Sequence, residues 1–540
     1  VTGSPITVYG AAGNQELSTI DIAGSPTQGA GFISTSGATE TAAFVFGTPA
    51  TPVEADIYST TSTLTFNNTI TADGLTKFGA GAMTIATPND GTTAFGSSVY
   101  GLGNDLFYYG NITGLVTLNT GAITLNTSQG LGVGSGSANT IVLTGNGATL
   151  QLGDQLGVSA HGILNASTFI VASGILGAPQ NLANGVAPLA GYTPNSQGLT
   201  VYADPTTGAF PTGYYPTNIV VHGDSSINNA YSQTYTQSIG SLIIPALTTG
   251  TNAAGSLDGS GAATGTGVTL GIYGIQVLGT TQLGGDTILN VSLGTSNRTN
   301  LEGPIMGIGG TVASPVDTSA SLSKFGTGIL MLNNSTNGNT FSGPIIINGG
   351  VVGTTVTSGS PFGTGPITVD PGGSLRISDP SNIASNVTDS GKISVITEPT
   401  GIGFIGMSYN PASSAAVQSL LGNVNFSTTV LASDAQGAVS GGLGIDTSYF
   451  TAPLNMASLG DGNLFLGSTS TSGTAFYAAP SLAPGAGNVY RIGGGGGALA
   501  LSPLYANVLT GTASVQVGVA SNGANAAGVV PTNGNGTDVI

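Results

Sequence analysis

Short apolar bursts alternate with polar turns along nearly the whole chain. The bursts carry β-branched or aliphatic residues at every second position and are separated by glycine, asparagine, serine and threonine. A period of two predicts β-strands, and the separating residues predict turns. The clearest strand segments are predicted at Ser62–Ile70, Leu115–Leu125, Asn139–Leu152, Asp286–Gly294 and Gly365–Ile377.

One segment departs from this pattern. Pro411–Gly422 places Val417, Leu420 and Leu421 at helical spacing after serine and alanine residues. Apolar residues three and four positions apart lie on one face of a helix. We therefore predict one short helix here, on a loop or cap of an otherwise all-β chain.

Part of the pattern occurs twice. Gly74–Ile85 (GLTKFGAGAMTI) aligns with Ser321–Leu332 (SLSKFGTGILML), and both contain Lys-Phe-Gly, a second glycine and an alternating strand. Upstream, Ser62–Gly74 is matched with Asp286–Gly310. The repeat indicates two related series of strands rather than one irregular sheet.

The match continues downstream of both copies. The segment that begins at Phe107 matches the one that begins at Thr340, and Asn139–Leu152 then matches Gly365–Ile377. Each burst is too short to be stable alone. Pairing with the bursts one turn earlier and one turn later satisfies the backbone along a ladder of about 4.8 Å spacing and stacks the inward side chains into one core. We predict an all-β parallel solenoid.

The repeated motif resembles a known family. It reads L-x-K-x-G-x-G, then a strand, then F-x-G and a strand that ends in N-x-G. Its residues are Leu322, Lys324, Gly326, Gly328, Phe341, Gly343 and Gly349 in one copy and Leu75, Lys77, Gly79 and Gly81 in the other. This pattern resembles the autotransporter-associated β-strand repeat, also called the passenger-associated transport repeat. The resemblance implies a right-handed parallel β-helix (β-solenoid) with loop insertions and at most one short helix, on a secreted bacterial protein.

We predict a division into five segments. They are a first β-solenoid repeat module at 1–155, inserted Tyr/Pro/Gly-rich rungs and loops at 156–285, a second repeat module at 286–390, a strand-rich insertion with the short helix 411–422 at 391–487, and C-terminal rungs at 488–540.

Composition favours an ordered structural chain. Glycine accounts for 90 of 540 residues and charged residues for 5%, with a mean hydropathy of +0.29. Disorder requires low hydrophobicity and high charge, which this chain lacks. Its six Lys and Arg residues are scattered, whereas nucleic-acid binding needs clustered bases. Without cysteine, the chain has neither disulfides nor thiolate metal sites.

The ends of the sequence suggest a processed protein. The chain begins with Val1 and contains no signal peptide and no apolar run of about 20 residues. We expect a piece of a larger precursor that does not insert into a membrane. Together with the family resemblance, this predicts an extracellular or bacterial cell-surface location.

Candidate chemistry is sparse. A Ser/His/Asp site can be assembled from His222, Asp224 and a serine, and His161 is the other histidine, but no G-x-S-x-G elbow is present. A polysaccharide-cleaving β-helix enzyme needs a carboxylate pair, and no acidic cluster at rung spacing is found in the sequence. We predict no catalytic residue.

One segment resembles a calcium-binding repeat. Leu459–Gly467 looks like a single repeats-in-toxin nonapeptide, with Asp461 and Asn463 as oxygen ligands. Such sites need consecutive turns. We therefore predict no cofactor, with calcium as the alternative.

The favoured function is structural. We expect a β-solenoid subunit that associates with itself into a bacterial surface filament, sheath or stalk. The first alternative is an adhesin passenger domain that binds glycan or a host surface through tyrosine-rich loops, and the second is the polysaccharide-cleaving enzyme. The candidate ligand or subunit contacts are Tyr192, Tyr214, Tyr215, Tyr231 and Tyr235.

The repeated lysine stands out in this sequence. Lys77 and Lys324 occupy the same position of the two copies in a chain with only six cationic residues. We expect a carboxylate or a backbone carbonyl as the partner of this amine.

Overall fold

The computed structural model of the 540-residue chain describes a set of discrete ranges. They are 19–22, 30–34, 37–40, 43–48, 51–60, 62–67, 70–72, 74–85, 111–112, 116–118, 122–125, 140–143, 149–152, 218–221, 225–229, 237–239, 241–245, 268–270, 275–291, 298–334, 339–384, 386, 392–398, 401–422, 424–430, 437–470, 473–501, 508–509 and 511–518.

The chain divides into two compact units, Val1–Gly279 and Thr280–Ile540. The first unit contains three parallel ladders of strands. Ladder I joins β1 (Thr19–Ile22), β4 (Ala43–Thr48), β8 (Ile70–Ala72) and β11 (Asn111–Ile112). Ladder II joins β2 (Ala30–Ser34), β6 (Glu54–Ser59), β9 (Gly74–Phe78), β12 (Val116–Leu118), β14 (Thr140–Leu143), β16 (Asn218–Val221) and β19 (Leu242–Ile244). Ladder III joins β3 (Ala38–Glu40), β7 (Leu64–Phe66), β10 (Ala82–Ile85), β13 (Ala122–Leu125), β15 (Thr149–Leu152), β17 (Ser225–Asn229) and β20 (Val268–Leu270). In addition, β5 (Thr51–Pro52) pairs antiparallel with β4, and β18 (Gln237–Ile239) pairs parallel with β21 (Ile275–Val277).

The second unit also consists mainly of parallel ladders. Ladder IV joins β22 (Thr281–Leu283) and β25 (Ile305–Gly307). Ladder V joins β23 (Thr287–Asn290), β26 (Leu322–Phe325), β28 (Ile345–Ile347), β30 (Ile367–Val369), β32 (Ile393–Val395) and β36 (Val424–Phe426). Ladder VI joins β24 (Arg298–Leu301), β27 (Ile329–Leu332), β29 (Gly350–Gly353), β31 (Gly373–Ile377), β35 (Phe404–Met407), β39 (Gly442–Ile445), β41 (Phe465–Gly467), β44 (Val489–Ile492) and β46 (Ser514–Val517).

Short strand pairs complete the second unit. The antiparallel pairs are β33 (Thr397–Glu398) with β34 (Gly401–Ile402) and β37 (Thr429–Val430) with β38 (Ala438–Val439). The parallel pairs are β40 (Leu454–Asn455) with β43 (Leu482–Ala483) and β42 (Thr474–Tyr477) with β45 (Ala498–Leu501).

Successive strands enter the ladders in rotation. In the first unit β6, β7, β8, β9 and β10 belong to ladders II, III, I, II and III. In the second unit, β26 to β31 alternate between ladders V and VI. A parallel pair cannot be joined by a tight hairpin, so the chain crosses to other ladders before it returns.

The core consists of columns of stacked aliphatic side chains. In ladder V, Ile345 pairs with Ile367 and Ile367 pairs with Ile393, and all three are fully buried. The residues between these columns are partly exposed, so ladder V shows the alternation expected of a sheet with one solvated face.

The middle strands of ladder VI are buried on both faces. Every residue of β27, β29, β31 and β35 is buried. Strands covered on both sides read as nearly continuous apolar runs rather than as alternating ones, which explains the sequence ILML in β27.

The predicted helix is present, although it is shorter than the segment that predicted it. The α-helix α1 (Ser414–Leu421) begins after Ser413, whose side chain accepts a hydrogen bond from Ala416 N, and it buries Val417, Leu420 and Leu421. Three 3-10 turns lie at Pro380–Ile383, Met456–Ser458 and Ala486–Asn488. Among the helices in the described ranges, none has both the length and the apolar character needed to cross a bilayer.

The described part of the chain therefore consists mostly of strands in parallel ladders, in agreement with the all-β parallel architecture that was the coarser part of the predicted fold class. Leu115–Leu125, Asn139–Leu152 and Gly365–Ile377 each contain two strands, which belong to different ladders. The pattern of residues located these segments, and the structure divides each of them into two strands.

Candidate functional site

The two copies of the repeat have the same strand pairing. In the first copy β9 pairs with β12 and β12 with β14, so that Leu75, Val116 and Ile141 form one row. In the second copy β26 pairs with β28 and β28 with β30 in the same register, from Leu322 onward. The following strands behave alike, because β10, β13 and β15 pair as β27, β29 and β31 do. The downstream alignment made from sequence is confirmed.

The upstream alignment requires a correction. The sequence matched Ser62–Gly74 with Asp286–Gly310, which places β7 opposite β23. In the structure β23 pairs with β26, and the strand that pairs in the same way with β9 is β6. The counterpart of β23 is therefore β6, one strand earlier, because the pairing register depends on the ladder and not on sequence spacing.

A glycine corner follows the repeated lysine strand in both copies. Gly79 and Gly326 have φ angles of +88° and +79°, a left-handed conformation that side chains rarely adopt. Two residues later, Gly81 N donates to Ser59 O at 3.0 Å, and Gly328 N donates to Val291 O at 2.8 Å. The backbone of the corner is thus the same in the two copies.

The repeated lysine is buried, and its amine binds backbone carbonyls. Lys77 and Lys324 are both 0% exposed. Lys324 Nζ donates to the carbonyls of Phe325 at 3.0 Å, Gly326 at 2.6 Å and Gly349 at 2.9 Å. Lys77 Nζ donates to the equivalent carbonyl, that of Gly79, at 2.5 Å. A carboxylate or a backbone carbonyl was expected as the partner, and the structure shows backbone carbonyls for both lysines.

Burial changes the acidity of both amines. It lowers the pKa of Lys324 to about 7 and that of Lys77 to about 8, from an ordinary value of 10.5. Removing an ammonium from water disfavours its charged form, which is why both shifts are downward.

The second half of the repeat supplies the next corner. Phe341 is buried and forms an isolated parallel β-bridge with Thr318, and Gly343 N donates to Thr318 O at 3.1 Å. A Cβ on Gly343 would collide with Ala320 O. Gly349 contributes its carbonyl to Lys324, as described above. These residues determine where the backbone lies, and none of them presents a reactive group to solvent.

The calcium candidates form a hydrogen-bonded turn. Asp461 accepts hydrogen bonds from Thr428 Oγ1 at 3.2 Å, Asn463 N at 2.9 Å and Asn463 Nδ2 at 3.1 Å, and also from Ser440 Oγ. These bonds lower the pKa of Asp461 although burial opposes them. Donors already occupy both carboxylate oxygens, and the described residues hold no group of three or more His, Cys, Asp or Glu that could bind a metal.

Several sequence candidates lie outside the described residues. They are Tyr192, Tyr214, Tyr215, Tyr231, Tyr235, His161, His222 and Asp224. Their roles stay predictions from the sequence.

Sequence reasoning missed one buried ion pair. Arg376 Nε lies 3.3 Å from Asp446 Oδ2, and the two side chains are 8% and 2% exposed. Arg376 also donates to Thr469, through Nε to Oγ1 at 3.3 Å and through Nη2 to the carbonyl. Asp446 in turn accepts from Thr469 N at 2.7 Å and Ser468 Oγ at 2.9 Å.

A row of glycines provides space for this ion pair. Arg376 pairs with Gly406, Gly406 with Gly444, and Gly444 with Gly467. The arginine therefore extends from β31 over the glycines of β35 and β39 to Thr469, beyond β41. A Cβ on Gly406 would collide with Thr469 Oγ1 and Asp446 Oδ2. The recurring glycine was the only signal in the sequence, and it does not identify the acidic partner.

The candidate site therefore consists of buried polar interactions, in which lysine and arginine side chains bind groups of the same chain. No protein-family model, curated protein or solved structure matches the chain in the three comparisons made.

The corner glycine can be tested against a glycine with the same φ and free space. Gly309 has a φ of +78° and nothing within 4 Å of an added Cβ, whereas a Cβ on Gly326 would lie 2.5 Å from Val291 O. We expect Gly309→Ala to lower the free energy of unfolding by about 1 kcal/mol and Gly326→Ala by about 3 kcal/mol, because the second adds overpacking to strain. Denaturant titration measures both, and equal losses would contradict the proposed packing of the corner.

The buried lysine predicts a pH dependence of stability. Between about pH 7 and pH 10.5 the unfolded chain holds a proton that folded Lys324 releases, so the free energy of unfolding should rise with pH. The slope reaches at most about 1.4 kcal/mol per pH unit, and Lys77 adds to it above about pH 8. Urea titrations from about pH 7 to 9.5 avoid the ionisation of unfolded tyrosine near pH 10.

Lys324→Met should reduce this slope in the lower part of the range. Lys392→Met, at a partly exposed lysine, is the control and should keep the wild-type slope. A slope that is unchanged in Lys324→Met would show that another group is responsible.

The ion pair predicts a large and non-additive effect. Arg376→Met or Asp446→Asn should each lower the free energy of unfolding by about 3–5 kcal/mol, since each leaves its partner buried without a counter-charge. The double variant should lose much less than the sum of the two. Lys392→Met, at a partly exposed lysine, is the control, with an expected loss under about 1 kcal/mol. Additive losses at Arg376 and Asp446 would refute the coupling.

Proposed function

We propose that the chain forms right-handed parallel β-helices and serves as an extracellular structural protein, whose subunits associate into a filament, sheath or stalk on a bacterial surface. The rotation of strands through the ladders supports the β-helix, because a chain that returns repeatedly to the same parallel ladder winds around a common core. The stacked columns and the matching corners of the two repeat copies also support it.

The observation that carries self-association is the exposed apolar end of the described part of ladder VI. One row of this ladder runs from Leu443 through Leu466 and Ile492 to Val517. Ile492 is 3% exposed, whereas Val517 at the end of the row is 50% exposed and Val515 is 49% exposed. Among the described strands of ladder VI, none follows β46. Within the described residues, the row therefore ends in exposed apolar side chains.

Such an edge is suited to pairing with a second copy of the chain. Strand β46 has the sequence SVQV, without charge or proline, so it lacks the features that usually protect an edge. If this edge binds a different surface of the next subunit, the contact is heterologous and repeats into an open filament. The resemblance to the autotransporter-associated repeat supports the extracellular location.

Charge at the edge should block assembly. We expect wild-type protein to form fibres visible by negative-stain electron microscopy and to sediment as large species, with or without calcium. Val515→Lys combined with Val517→Lys should abolish fibres, because two ammonium groups could not be buried without a counter-charge against the surface of the next subunit. Val312→Lys, at a residue that is 52% exposed in the loop between β25 and β26, is the matched control and should assemble normally.

Two results would refute this proposal. One is a wild-type chain that stays monomeric at high concentration. The other is a pair of valine variants that forms fibres as readily as the wild type.

A further inference from the structure

Two aromatic rings are stacked on the surface of the second unit. The ring centroids of Tyr449 and Phe476 lie 5.9 Å apart with an interplanar angle of 19°. Tyr449 is 57% exposed, and Phe476 is partly exposed. In the next strand Phe476 pairs with Ala500, a small residue. Two large rings are thus followed, in the next strand, by the methyl group of Ala500. We call the exposed surface of Tyr449 and Phe476 the aromatic shelf.

A second aromatic pair beneath the surface holds this shelf in place. Phe450 and Tyr477, the next residue in each segment, are fully buried and stack at 5.9 Å and 23°. Phe450 N donates to Phe476 O at 2.8 Å, and Ala478 N donates to Phe450 O at 2.7 Å. The buried Tyr477 hydroxyl donates to Ser481 O at 2.6 Å and accepts from Leu454 N at 2.8 Å. The exposed rings are therefore rigid before any ligand binds, which reduces the entropy lost on binding.

Uncharged polar side chains are found beside the shelf. Asn410 is exposed and donates through Nδ2 to Tyr449 O at 2.6 Å, while its Oδ1 accepts no hydrogen bond from the described residues. Ser448 and Thr474 are exposed beside the two rings in sequence. The other large exposed apolar residues of the described chain, such as Val312 and Val517, are aliphatic and belong to other segments. This shelf therefore differs from an aliphatic docking patch.

We infer that the Tyr449–Phe476 shelf is a binding site for a neutral polysaccharide. The C–H face of a pyranose ring is apolar and flat enough to lie on an aromatic ring, and its hydroxyl groups can pair with the Asn410 amide, the Tyr449 hydroxyl and the neighbouring Ser448 and Thr474. The formal net charge of −17 disfavours acidic glycans. The uncharged Asn410, Ser448 and Thr474 side chains match the hydroxyl groups of a neutral glycan. These rings lie outside the tyrosine-rich loops considered from sequence, and the inference does not depend on self-association.

The test is native affinity electrophoresis of the full chain through gels that contain one polysaccharide each. Every protein compared, the one with the wild-type shelf included, carries Val515→Lys and Val517→Lys, so that fibres do not keep it out of the gel. The neutral probes are hydroxyethylcellulose, laminarin and galactomannan, and the acidic probes are alginate and polygalacturonate. At least one neutral probe should retard the wild-type protein, and the acidic probes should not. Tyr449→Ala should weaken that retardation at least about tenfold, and Tyr449→Phe, which keeps the ring, should remain within about threefold.

Val312→Ala is the matched control for loss of an exposed apolar side chain, and it should behave like the wild type. Circular dichroism and thermal unfolding check that each variant is folded, and Phe476→Ala provides a second probe of the shelf. The inference is overturned if no neutral probe retards the protein, if acidic probes retard it more strongly, or if Tyr449→Ala binds as the wild type does. A change in sedimentation of Tyr449→Ala without any loss of polysaccharide binding would also overturn it, and would assign the shelf to a contact between copies.

Discussion

Parallel pairing in register is the constraint on which the rest of this structure depends. It places each side chain about 4.8 Å from the equivalent side chain of the next strand, so that a residue is stabilised by others of its own kind. Isoleucine on isoleucine satisfies this requirement in the column of Ile345, Ile367 and Ile393. A charge in such a column faces a similar position above and below it, which explains why only 5% of residues are charged.

The buried side chains of Lys324 and Arg376 are stabilised by different kinds of partner. Lys324 uses backbone carbonyls that the glycine corners leave free, so its partners are determined by local chain geometry. Arg376 uses Asp446, a residue 70 positions later in the chain, and reaches it across a row of glycines. Every residue has a backbone carbonyl, so the lysine needs no particular residue type as its partner. The arginine, in contrast, needs an acidic residue at one particular position.

The difference between these two solutions also explains what the sequence could predict. The repeat motif is local, so the strands around Lys77 and Lys324, their downstream pairing and the carbonyl partner all follow from short segments. The counterpart of β23 was misplaced by one strand because a sequence alignment does not encode which ladder a strand joins. The Arg376–Asp446 pair and the Tyr449–Phe476 shelf were missed because each forms between different turns, and no spacing rule relates their residues.

The lysine corner also has a consequence for the order in which the second unit folds. Lys324 binds the carbonyl of Gly326 in its own corner and that of Gly349 in the following corner. In a chain folded only as far as β27, this amine lacks the Gly349 carbonyl and stays in contact with water. It can be buried with its full set of acceptors only when β28 and Gly349 join the corner, because a buried amine without acceptors is unfavourable. Burial of Lys324 is therefore a cooperative event that links two successive turns of the chain.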